Sequence, residues 1–230
     1  MDMKNLDGKV VLITGASRGL GKAIALASAR HGARVAINYL KNGIEAEKVE
    51  KEIQKFGGEA LTFKADVTKA EEVREMVEAV LNKFGRIDAL INNAGVSIDY
   101  KRFADLGWDD FERHLEVQIH GAYNAIKAVL PFMLEKRSGD IINIASDVTV
   151  GAPPSGLSGY ISAKYGLVGL SRALASELSG KGIRVNIVSP GSVNTDLIKN
   201  LPSIYKTMAR EPEEVAEEVL SFLSNELSGS

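Results

Sequence analysis

Tyr160 and Lys164 lie four residues apart in the segment Tyr-Ile-Ser-Ala-Lys. In a helix, residues at positions i and i+4 share one face, so the phenol and the ammonium would be neighbours. A phenol with a pKa of about 10 is a weak acid or base at neutral pH, and a nearby ammonium lowers that pKa. The pair could therefore exchange a proton with a carbonyl or alcohol oxygen, although the same spacing also arises by chance in many helices.

Ser146 directly follows an apolar segment at residues 141–145 and precedes Tyr160 by one loop. A serine at the end of a predicted strand could place its hydroxyl on the same substrate oxygen as the phenol. Zero cysteines exclude a thiolate nucleophile, a disulfide and a cysteine-ligated zinc ion. The three histidines have no metal-ligand spacing, so no metal site is predicted.

A glycine-rich loop at residues 14–21 reads Thr-Gly-Ala-Ser-Arg-Gly-Leu-Gly and follows an apolar segment at residues 9–13. Gly15 would allow a tight turn out of a strand, and Gly19 and Gly21 would let backbone and helix approach a ligand closely. The N-terminus of the next helix offers unpaired N–H groups and a partial positive charge, which suit a pyrophosphate. The loop therefore predicts a dinucleotide site, with a purely structural turn as the alternative.

Composition limits the classes of protein that the chain can represent. Its 230 residues fit a single domain, 1–230, with no Pro/Gly/Ser-rich linker. A net charge of −2 with dispersed charges provides no basic surface for a nucleic acid. No apolar run approaches the length of about 18 residues that a membrane span needs, and the N-terminus leads straight to a strand. We therefore expect a soluble, cytoplasmic protein with neither nucleic acid nor membrane as a partner.

Apolar segments of strand length alternate with amphipathic segments of helical length. Predicted strands cover residues 9–13, 34–39, 60–63, 88–91, 141–145 and 183–188. Predicted helices cover residues 19–31, 44–56, 108–135 and 159–179, and a further helix opens with a capping box of Thr68 and Glu71 and runs to residue 84. Six parallel strands with helices on both faces define a doubly wound, Rossmann-type α/β domain. Residues 1–100 would form its cofactor half, and residues 100–230 its catalytic and substrate half.

In such a sheet the ligand crevice lies beyond the carboxyl ends of the strands, where the strand order reverses. The loops at that end comprise residues 14–21, 38–43, 64–68, 92–99, 146–158 and 189–210. The glycine loop and Ser146 fall in this set, and Tyr160 follows it directly. Motifs of independent types thus converge on one predicted site.

Together, these motifs resemble those of the short-chain dehydrogenase/reductase family. The resemblance rests on the glycine loop, on Asn92-Asn93-Ala94-Gly95 after the fourth strand, on Ser146 with the Tyr160/Lys164 pair, and on Pro190-Gly191-Ser192-Val193-Asn194-Thr195. It implies hydride transfer between a nicotinamide cofactor and a carbonyl carbon, with Tyr160 as the proton donor. It also implies that Lys164 lowers the pKa of Tyr160 and holds the nicotinamide ribose, while Ser146 hydrogen-bonds the substrate oxygen.

The resemblance assigns a role to each residue of the site. The implied catalytic residues are Ser146, Tyr160, Lys164 and Gln118. The implied cofactor-binding residues are Gly15, Ser17, Arg18, Gly19, Leu20, Gly21, Asn38, Asp66, Val67, Asn93, Ala94, Gly95, Tyr160, Lys164, Pro190, Gly191, Val193 and Thr195. Asp66 and Val67 would flank the adenine ring, and Thr195 would contact the nicotinamide carboxamide.

The end of the second predicted strand indicates the choice of cofactor. An NAD(H)-dependent enzyme commonly carries Asp or Glu there, which accepts a hydrogen bond from the ribose 2′-hydroxyl. This chain has Asn38 at the expected position, with Arg18 in the glycine loop and Lys41 nearby as cations for a 2′-phosphate. We therefore predict NADP(H) rather than NAD(H); the competing interpretation makes both cations solvated surface charges.

Two features depart from the family pattern. The family usually has Asn-Leu-x-Gly on its long helix, where the Asn kinks the helix and holds a relay water, whereas this chain has Gln118. We predict that Gln118 supports the proton relay, against the alternative that its amide fills a helix groove. His120 is a second candidate, against the alternative of a surface histidine. Relatives also continue into a seventh strand, which is predicted to be absent here because the sequence stops at Ser230.

The substrate is open at this stage. Residues 97–102, 147–157 and 196–210 would line a moderately apolar pocket. Over residues 8–225 the chain is most similar to family members that reduce 3-oxoacyl chains on acyl carrier protein, which implies a 3-oxoacyl thioester or similar ketone. Sugar, polyol and secondary-alcohol dehydrogenases share the same motifs. A weakly catalytic dinucleotide-binding module is the alternative from a different class.

Self-association is also implied by the resemblance. Helices 108–135 and 159–179 resemble those that pair across a two-fold axis in this family, so at least a homodimer is expected. A tetramer is the close alternative, with residues 212–225 as a possible second contact.

Overall fold

The predicted strands pair into one parallel sheet in the computed structural model, which describes residues 6–223. The strands are β1 (Val10–Ile13), β2 (Arg34–Tyr39), β3 (Ala60–Lys64), β4 (Ala89–Asn92), β5 (Gly139–Ile144) and β6 (Ile183–Val188). Their order is β3-β2-β1-β4-β5-β6, and every adjacent pair is parallel. All residues of β1, β4 and β5 are buried, as expected for strands covered on both faces. The predicted doubly wound α/β fold is confirmed.

Helices cover both faces of the sheet. They are α1 (Gly19–Arg30), α2 (Gly43–Lys55), α3 (Ala70–Phe84), α4 (Trp108–Leu115), α5 (Gly121–Lys136), α6 (Ser158–Leu178), α7 (Ser203–Thr207) and α8 (Pro212–Phe222). Side chains of α1, α2 and α8, among them Ile24, Ile53 and Val219, pack on one face. Side chains of α3 and α5, among them Met76 and Met133, pack on the other. Burial of these apolar surfaces holds the strand ends, and hence the loops around the crevice, in place.

The strand order reverses between β1 and β4, which places a crevice beyond their carboxyl ends. The glycine loop leaves β1 there, and the segment 93–99 leaves β4 beside it. The loop before α6 leaves β5, so the helix that carries Tyr160 and Lys164 begins at the same edge of the sheet.

The predicted capping box of Thr68 and Glu71 is wrong. The hydroxyl and the N–H of Thr68 both donate to the carboxylate of Asp66, at 2.8 and 3.0 Å. The carboxylate of Glu72 accepts from the backbone N–H of Asp66 at 2.7 Å, and α3 begins only at Ala70. Charged carboxylates are stronger acceptors than hydroxyls and capture the donors of this turn, so Thr68 does not cap the helix.

The helix predicted at 108–135 continues through that region but contains a π-turn, Glu116–His120, between α4 and α5. The backbone N–H of Gly121 donates to the carbonyl of Glu116, five residues earlier. A Cβ atom at Gly121 would lie 2.6 Å from Cγ2 of Val67, so this helix packs very closely on the loop after β3. Such wide turns often occur at functional sites, and Gln118 lies inside this one.

Strand β6 forms one edge of the sheet in residues 6–223. The predicted absence of a seventh strand concerns residues 224–230, which lie outside the described residues. Among the helices that the structure describes, none combines the length and apolar character that crossing a membrane requires.

Helix α6 has a buried face and an exposed face. Leu167 and Leu178 are buried, whereas Tyr165 and Ala173 are exposed. The exposed face of this helix is therefore the part available for the expected pairing between subunits, which stays a prediction.

Candidate active site

One crevice with a cavity volume of about 980 Å³ runs along the carboxyl ends of β1, β4 and β5. Every predicted catalytic and cofactor-binding residue lines it, from the glycine loop to Thr195. The sequence motifs, which span most of the chain, are therefore brought together as predicted. Their chemical roles depend on the local geometry described below.

The glycines of the loop serve two different purposes. Gly15 and Gly19 adopt left-handed backbone conformations, with φ of 64° and 56°, which side chains disfavour. A Cβ atom at Gly21 would lie 2.5 Å from the Asn93 amide nitrogen, so this glycine lets α1 pack on the loop after β4. Gly21 was predicted to allow a close approach to a ligand, and in the structure it allows close packing between α1 and the loop after β4.

Side-chain hydrogen bonds join the glycine loop to the loop after β4. The Thr14 hydroxyl accepts from the backbone N–H groups of Asn93 and Ala94, both at 3.0 Å. The Asn93 amide donates to the carbonyls of Thr14 and Gly15 at 3.0 and 3.1 Å. Thr14 was absent from the predicted site residues. Its place between a buried strand and the first glycine was the signal that could have identified it.

Asn38 has a structural role that the sequence did not reveal. Its side chain is 2% exposed, its Oδ1 accepts from the N–H of Gly15 at 3.1 Å, and its Nδ2 donates to the carbonyl of Ala65 at 3.0 Å. The amide therefore fastens the glycine loop to the loop after β3. Both polar atoms are occupied, so the predicted contact of Asn38 with a cofactor would have to coexist with these two hydrogen bonds. Because side chains alternate along a strand, the neighbouring Tyr39 lies on the opposite face of the sheet, where it packs partly buried against the core and also lines the crevice.

Arg18 spans the mouth of the crevice. Its guanidinium lies 3.0 Å from the carboxylate of Asp196, and both side chains are well exposed. An exposed ion pair contributes little free energy, so a phosphate group could readily compete for this guanidinium. Lys41 also lines the crevice and is exposed.

Thr195 closes the opposite wall of the crevice. Its hydroxyl accepts from the N–H of Leu197 at 3.3 Å and thereby caps a short 3₁₀ turn, Asp196–Ile198. A Cβ atom at Gly19 would lie 3.2 Å from the Thr195 methyl group, so the two walls nearly touch at this point. The predicted contact of Thr195 with a carboxamide would have to coexist with this capping bond.

Tyr160, Lys164 and Ser146 form a buried polar group at the inner end of the crevice, each less than 9% exposed. Tyr160 and Lys164 share one face of α6, with the lysine Nζ 5.5 Å from the centre of the phenol ring. That Nζ donates to the carbonyl of Ile144 at 2.6 Å, which fixes the ammonium against the end of β5. Ser146 follows β5 directly, and its hydroxyl accepts from the N–H of Val148 at 3.4 Å.

Burial is the main cause of the pKa shifts of Tyr160 and Lys164. It raises the pKa of Tyr160 to about 12; the Ser146 hydroxyl opposes the rise and the Asp147 carboxylate adds to it. Burial also lowers the pKa of Lys164 to about 7. The expected lowering of the Tyr160 pKa by Lys164 is not seen in this structure, where desolvation of the phenolate sets the direction of the shift. A neutral phenol at working pH suits a proton donor.

Gln118 lies at the same inner end, 3% exposed, and lines the crevice. Its Nε2 is 3.0 Å from Nδ1 of His114, one helical turn earlier, and His114 is itself buried. The His114 ring meets the Tyr160 ring edge-on, with 6.0 Å between centroids. His120, in contrast, is exposed and pairs with Glu116 at 3.0 Å, as the surface-histidine alternative expects. The sequence interpretation missed His114, although its i, i+4 spacing to Gln118 was visible.

Buried His114 should make the stability of the protein depend on pH. Burial lowers the pKa of His114 to about 4; the charged groups around it are Arg113 and Lys164, which oppose protonation, and Asp99 and Asp110, which favour it. The unfolded chain takes up a proton below about pH 6.5, whereas the folded protein does so only near pH 4, so stability falls between these values. At pH 4.5 this residue alone should lower the free energy of unfolding by on the order of 2 kcal/mol.

Urea unfolding of wild type and His114→Leu at pH 7 and pH 4.5 measures this effect. The variant should lose less stability on acidification than the wild type, by about that amount. His120→Leu, which removes an exposed histidine, is the matched control and should follow the wild type. Equal losses in wild type and His114→Leu would contradict the prediction.

A doubly wound α/β domain with a glycine cradle and a buried Tyr–Lys pair on one crevice defines a dinucleotide-dependent class of oxidoreductase. Within residues 6–223, no cluster of three or more His, Cys, Asp or Glu side chains could hold a metal ion. Comparison with known proteins identifies the family within this class.

Residues 9–205 match the family model described as short chain dehydrogenase. The 3-oxoacyl-[acyl-carrier-protein] reductase of Synechocystis sp. is 40% identical over 220 residues, which are 93% of this chain and 88% of that protein. A short chain dehydrogenase from Burkholderia cenocepacia in complex with NADP has a TM-score of 0.88 at 32% identity and covers 98% of this chain and 96% of its own. NAD⁺-bound xylitol dehydrogenase has a TM-score of 0.88 at 28% identity, covering 98% and 97%.

The chain belongs to the short-chain dehydrogenase family and is an oxidoreductase. The two solved neighbours carry different nicotinamide cofactors on the same fold, so the choice of cofactor has to be argued from the residues of this crevice.

Proposed function

We propose that this oxidoreductase uses NADP(H) and reduces the keto group of a 3-oxoacyl thioester, or a similar ketone, to a secondary alcohol. One observation carries the proposal: a single crevice joins a dinucleotide cradle, a buried Tyr160/Lys164 pair and a wall of apolar side chains. The similarity to a 3-oxoacyl-[acyl-carrier-protein] reductase over 93% of the chain supports this choice of substrate.

The residues of the crevice fit a dinucleotide. The left-handed turns at Gly15 and Gly19 leave room beside the N-terminus of α1, where N–H groups without helical partners suit a pyrophosphate. Lys164 lies at the far end, where its ammonium can hold the ribose hydroxyls next to the nicotinamide. When bound, the cofactor supplies the hydride.

Three side chains would act on the substrate oxygen and its proton. The neutral Tyr160 phenol donates its proton to the carbonyl oxygen as that oxygen gains negative charge. The Ser146 hydroxyl, which donates to the Asp147 carboxylate at 3.2 Å in this structure, would turn its proton to the same oxygen and hold it beside the phenol. Lys164, fixed on the carbonyl of Ile144, provides positive charge next to the tyrosine as the proton leaves.

The wall of the crevice favours a substrate with an apolar chain. Ile98, Leu157, Ile198 and Leu201 pack around Tyr160 in a small apolar cluster. Apolar side chains that line the outer part of the crevice yet remain largely exposed are Val150, Ile204 and Met208. Exposed apolar groups beside a crevice gain free energy when a ligand covers them, which suits an acyl chain better than a sugar.

The assay that tests the proposal measures NADPH oxidation with 3-oxoacyl thioesters, simple β-ketoesters, diketones and keto sugars. We expect the highest kcat/KM for 3-oxoacyl thioesters and an increase with chain length. A preference for keto sugars would favour a polyol dehydrogenase instead. Binding of NADPH without turnover of any carbonyl would favour a non-catalytic dinucleotide-binding module.

Arg18 should determine the preference for NADPH. Arg18→Ala removes a charged hydrogen-bond donor to the 2′-phosphate, so kcat/KM for NADPH should fall by about 10- to 100-fold. The value for NADH should hardly change, because NADH has no phosphate there. Initial rates with both cofactors measure the effect. Lys22→Ala is the matched control, because Lys22 is a cation of α1 that pairs with Glu52 at 3.1 Å outside the crevice.

Equal losses with NADPH and NADH in Arg18→Ala would contradict this assignment, as would a wild-type preference for NADH. Asn38→Asp, the exchange that the sequence suggests, is a poor test. Its carboxylate would replace the amide that donates to the Ala65 carbonyl and would disturb the glycine loop. Tyr39→Asp places the acid on the neighbouring residue that lines the crevice and should raise the relative rate with NADH.

A further inference from the structure

The His114–Gln118 pair lies beside Tyr160 and is a feature of this chain that the proposed reaction has not yet used. Both side chains are more than nine-tenths buried, and a 3.0 Å hydrogen bond joins them across one helical turn. The pair spans the junction between α4 and the π-turn, so it ties a regular turn of helix to a widened one.

The protonation state of His114 decides which atom of Gln118 stays free. An imidazole that is neutral at pH 7 can accept at Nδ1, so the Gln118 amide donates its Nε2–H to that nitrogen. The Oε1 atom of Gln118 is then buried without a hydrogen-bond partner among the described residues. A buried amide oxygen left unpaired costs free energy, so such atoms normally receive a bond from a bound water or ligand.

The cavities around His114 and Gln118 indicate from which side a water or ligand can donate a hydrogen bond to Oε1 of Gln118. Gln118 lines the crevice together with Lys164 and Tyr160. A separate cavity of about 20 Å³ is bordered by His114 and Tyr160 but by neither Gln118 nor Lys164, so a partner for Oε1 has to come from the crevice. The helices also pack tightly on the ring, since a Cβ atom at Gly159 would lie 3.2 Å from Cδ2 of His114. The imidazole therefore has little freedom, and it restricts the glutamine.

We infer that His114 is a positioning residue for proton transfer: it holds the Gln118 amide so that Oε1 binds a water molecule next to Lys164. Through this water and the ammonium of Lys164, a proton from solvent replaces the one that Tyr160 gives to the carbonyl oxygen. The glutamine is one methylene longer than an asparagine, and the bond to His114 removes the freedom that this methylene would add. The inference rests on the proposed carbonyl reduction for its kinetic consequences, but not for its structural ones.

Kinetics of four variants test the inference. His114→Leu and Gln118→Met each remove one partner at similar volume and should lower kcat about 10-fold at pH 7, with KM for the carbonyl and Kd for NADPH unchanged. The double variant should be no slower than the slower single variant, because both act through one interaction. His114→Asn keeps an acceptor near the position of Nδ1 and should recover much of the rate. His120→Leu is the control and should match wild type.

Wild-type rates in His114→Leu, or multiplied losses in the double variant, would overturn the inference while leaving the proposed function intact. A wild type that reduces no carbonyl would overturn the proposed function instead. A second measurement is independent of activity: crystal structures of wild type and His114→Leu should show a single Gln118 rotamer with a water on Oε1 only in the wild type. The same rotamer and the same water in both proteins would overturn the positioning role.

Discussion

Replacing Tyr160 with phenylalanine is expected to lower kcat by about 10²- to 10⁴-fold, the range that a positioned general acid contributes. The phenol is buried, its pKa is raised to about 12, and it is therefore protonated at every pH at which the enzyme would work. Phenylalanine keeps the ring that packs among Ile98, Leu157 and Ile198 but has no proton to give. The fold and the cofactor site should therefore survive the exchange.

Two measurements separate chemistry from binding in this variant. Single-turnover oxidation of NADPH with a 3-oxoacyl thioester should show the loss of rate, and fluorescence titration with NADPH should give a Kd close to that of the wild type. Tyr165→Phe is the matched control, since Tyr165 lies on the same helix with 45% of its surface exposed. If Tyr160→Phe retained more than a tenth of the activity, another group would have to be the acid.

Replacing Lys164 with methionine should lower both the rate and the affinity for the cofactor. The buried ammonium is fixed on the Ile144 carbonyl at 2.6 Å, so methionine fills a similar volume but removes the charge beside the phenol. Charged hydrogen bonds contribute about 1.5–3 kcal/mol, so NADPH binding should weaken by about 10- to 100-fold. The loss in kcat should be comparable to that of Tyr160→Phe, because proton transfer loses its nearest positive charge.

The affinity of the wild type should also depend on pH. Burial lowers the pKa of Lys164 to about 7, so the ammonium of the free protein is lost as the pH rises above that value. NADPH binding should therefore weaken between pH 7 and pH 9 in the wild type and stay nearly constant in Lys164→Met. Lys181→Met, at an exposed lysine after α6, serves as the control. A pH-independent Kd in the wild type, or an unchanged Kd in Lys164→Met, would contradict the assignment.

The positions of the short apolar runs along the chain were sufficient to predict the parallel sheet. Buried parallel strands read as short continuous apolar runs, and the six predicted runs match β1 to β6 within one or two residues. The position of a residue at the end of a strand, however, does not show whether its side chain hydrogen-bonds within the protein or faces the crevice. Asn38 was predicted as a cofactor-site residue in place of an acid, and its side chain hydrogen-bonds to Gly15 and Ala65.

Local sequence patterns did not predict the backbone conformation where residues outside the pattern supplied the hydrogen bonds or the packing. Thr68 and Glu71 satisfy the spacing of a capping box, yet Asp66 and Glu72 capture the donors of that turn. The π-turn at residues 116–120 was also unpredictable, because its extra residue is accommodated by tight packing of Gly121 on Val67. Both outcomes depend on contacts that sequence spacing does not contain.

The sequence alone determined the fold and the set of residues around the crevice, because strand order in a doubly wound sheet brings all such loops to one edge. Tertiary structure decided how those residues interact. Burial sets the protonation of Tyr160 and Lys164, since desolvation depends on everything packed around a group and not on its neighbours in sequence. For the same reason, the bond between His114 and Gln118 becomes significant only once both side chains are enclosed beside the phenol.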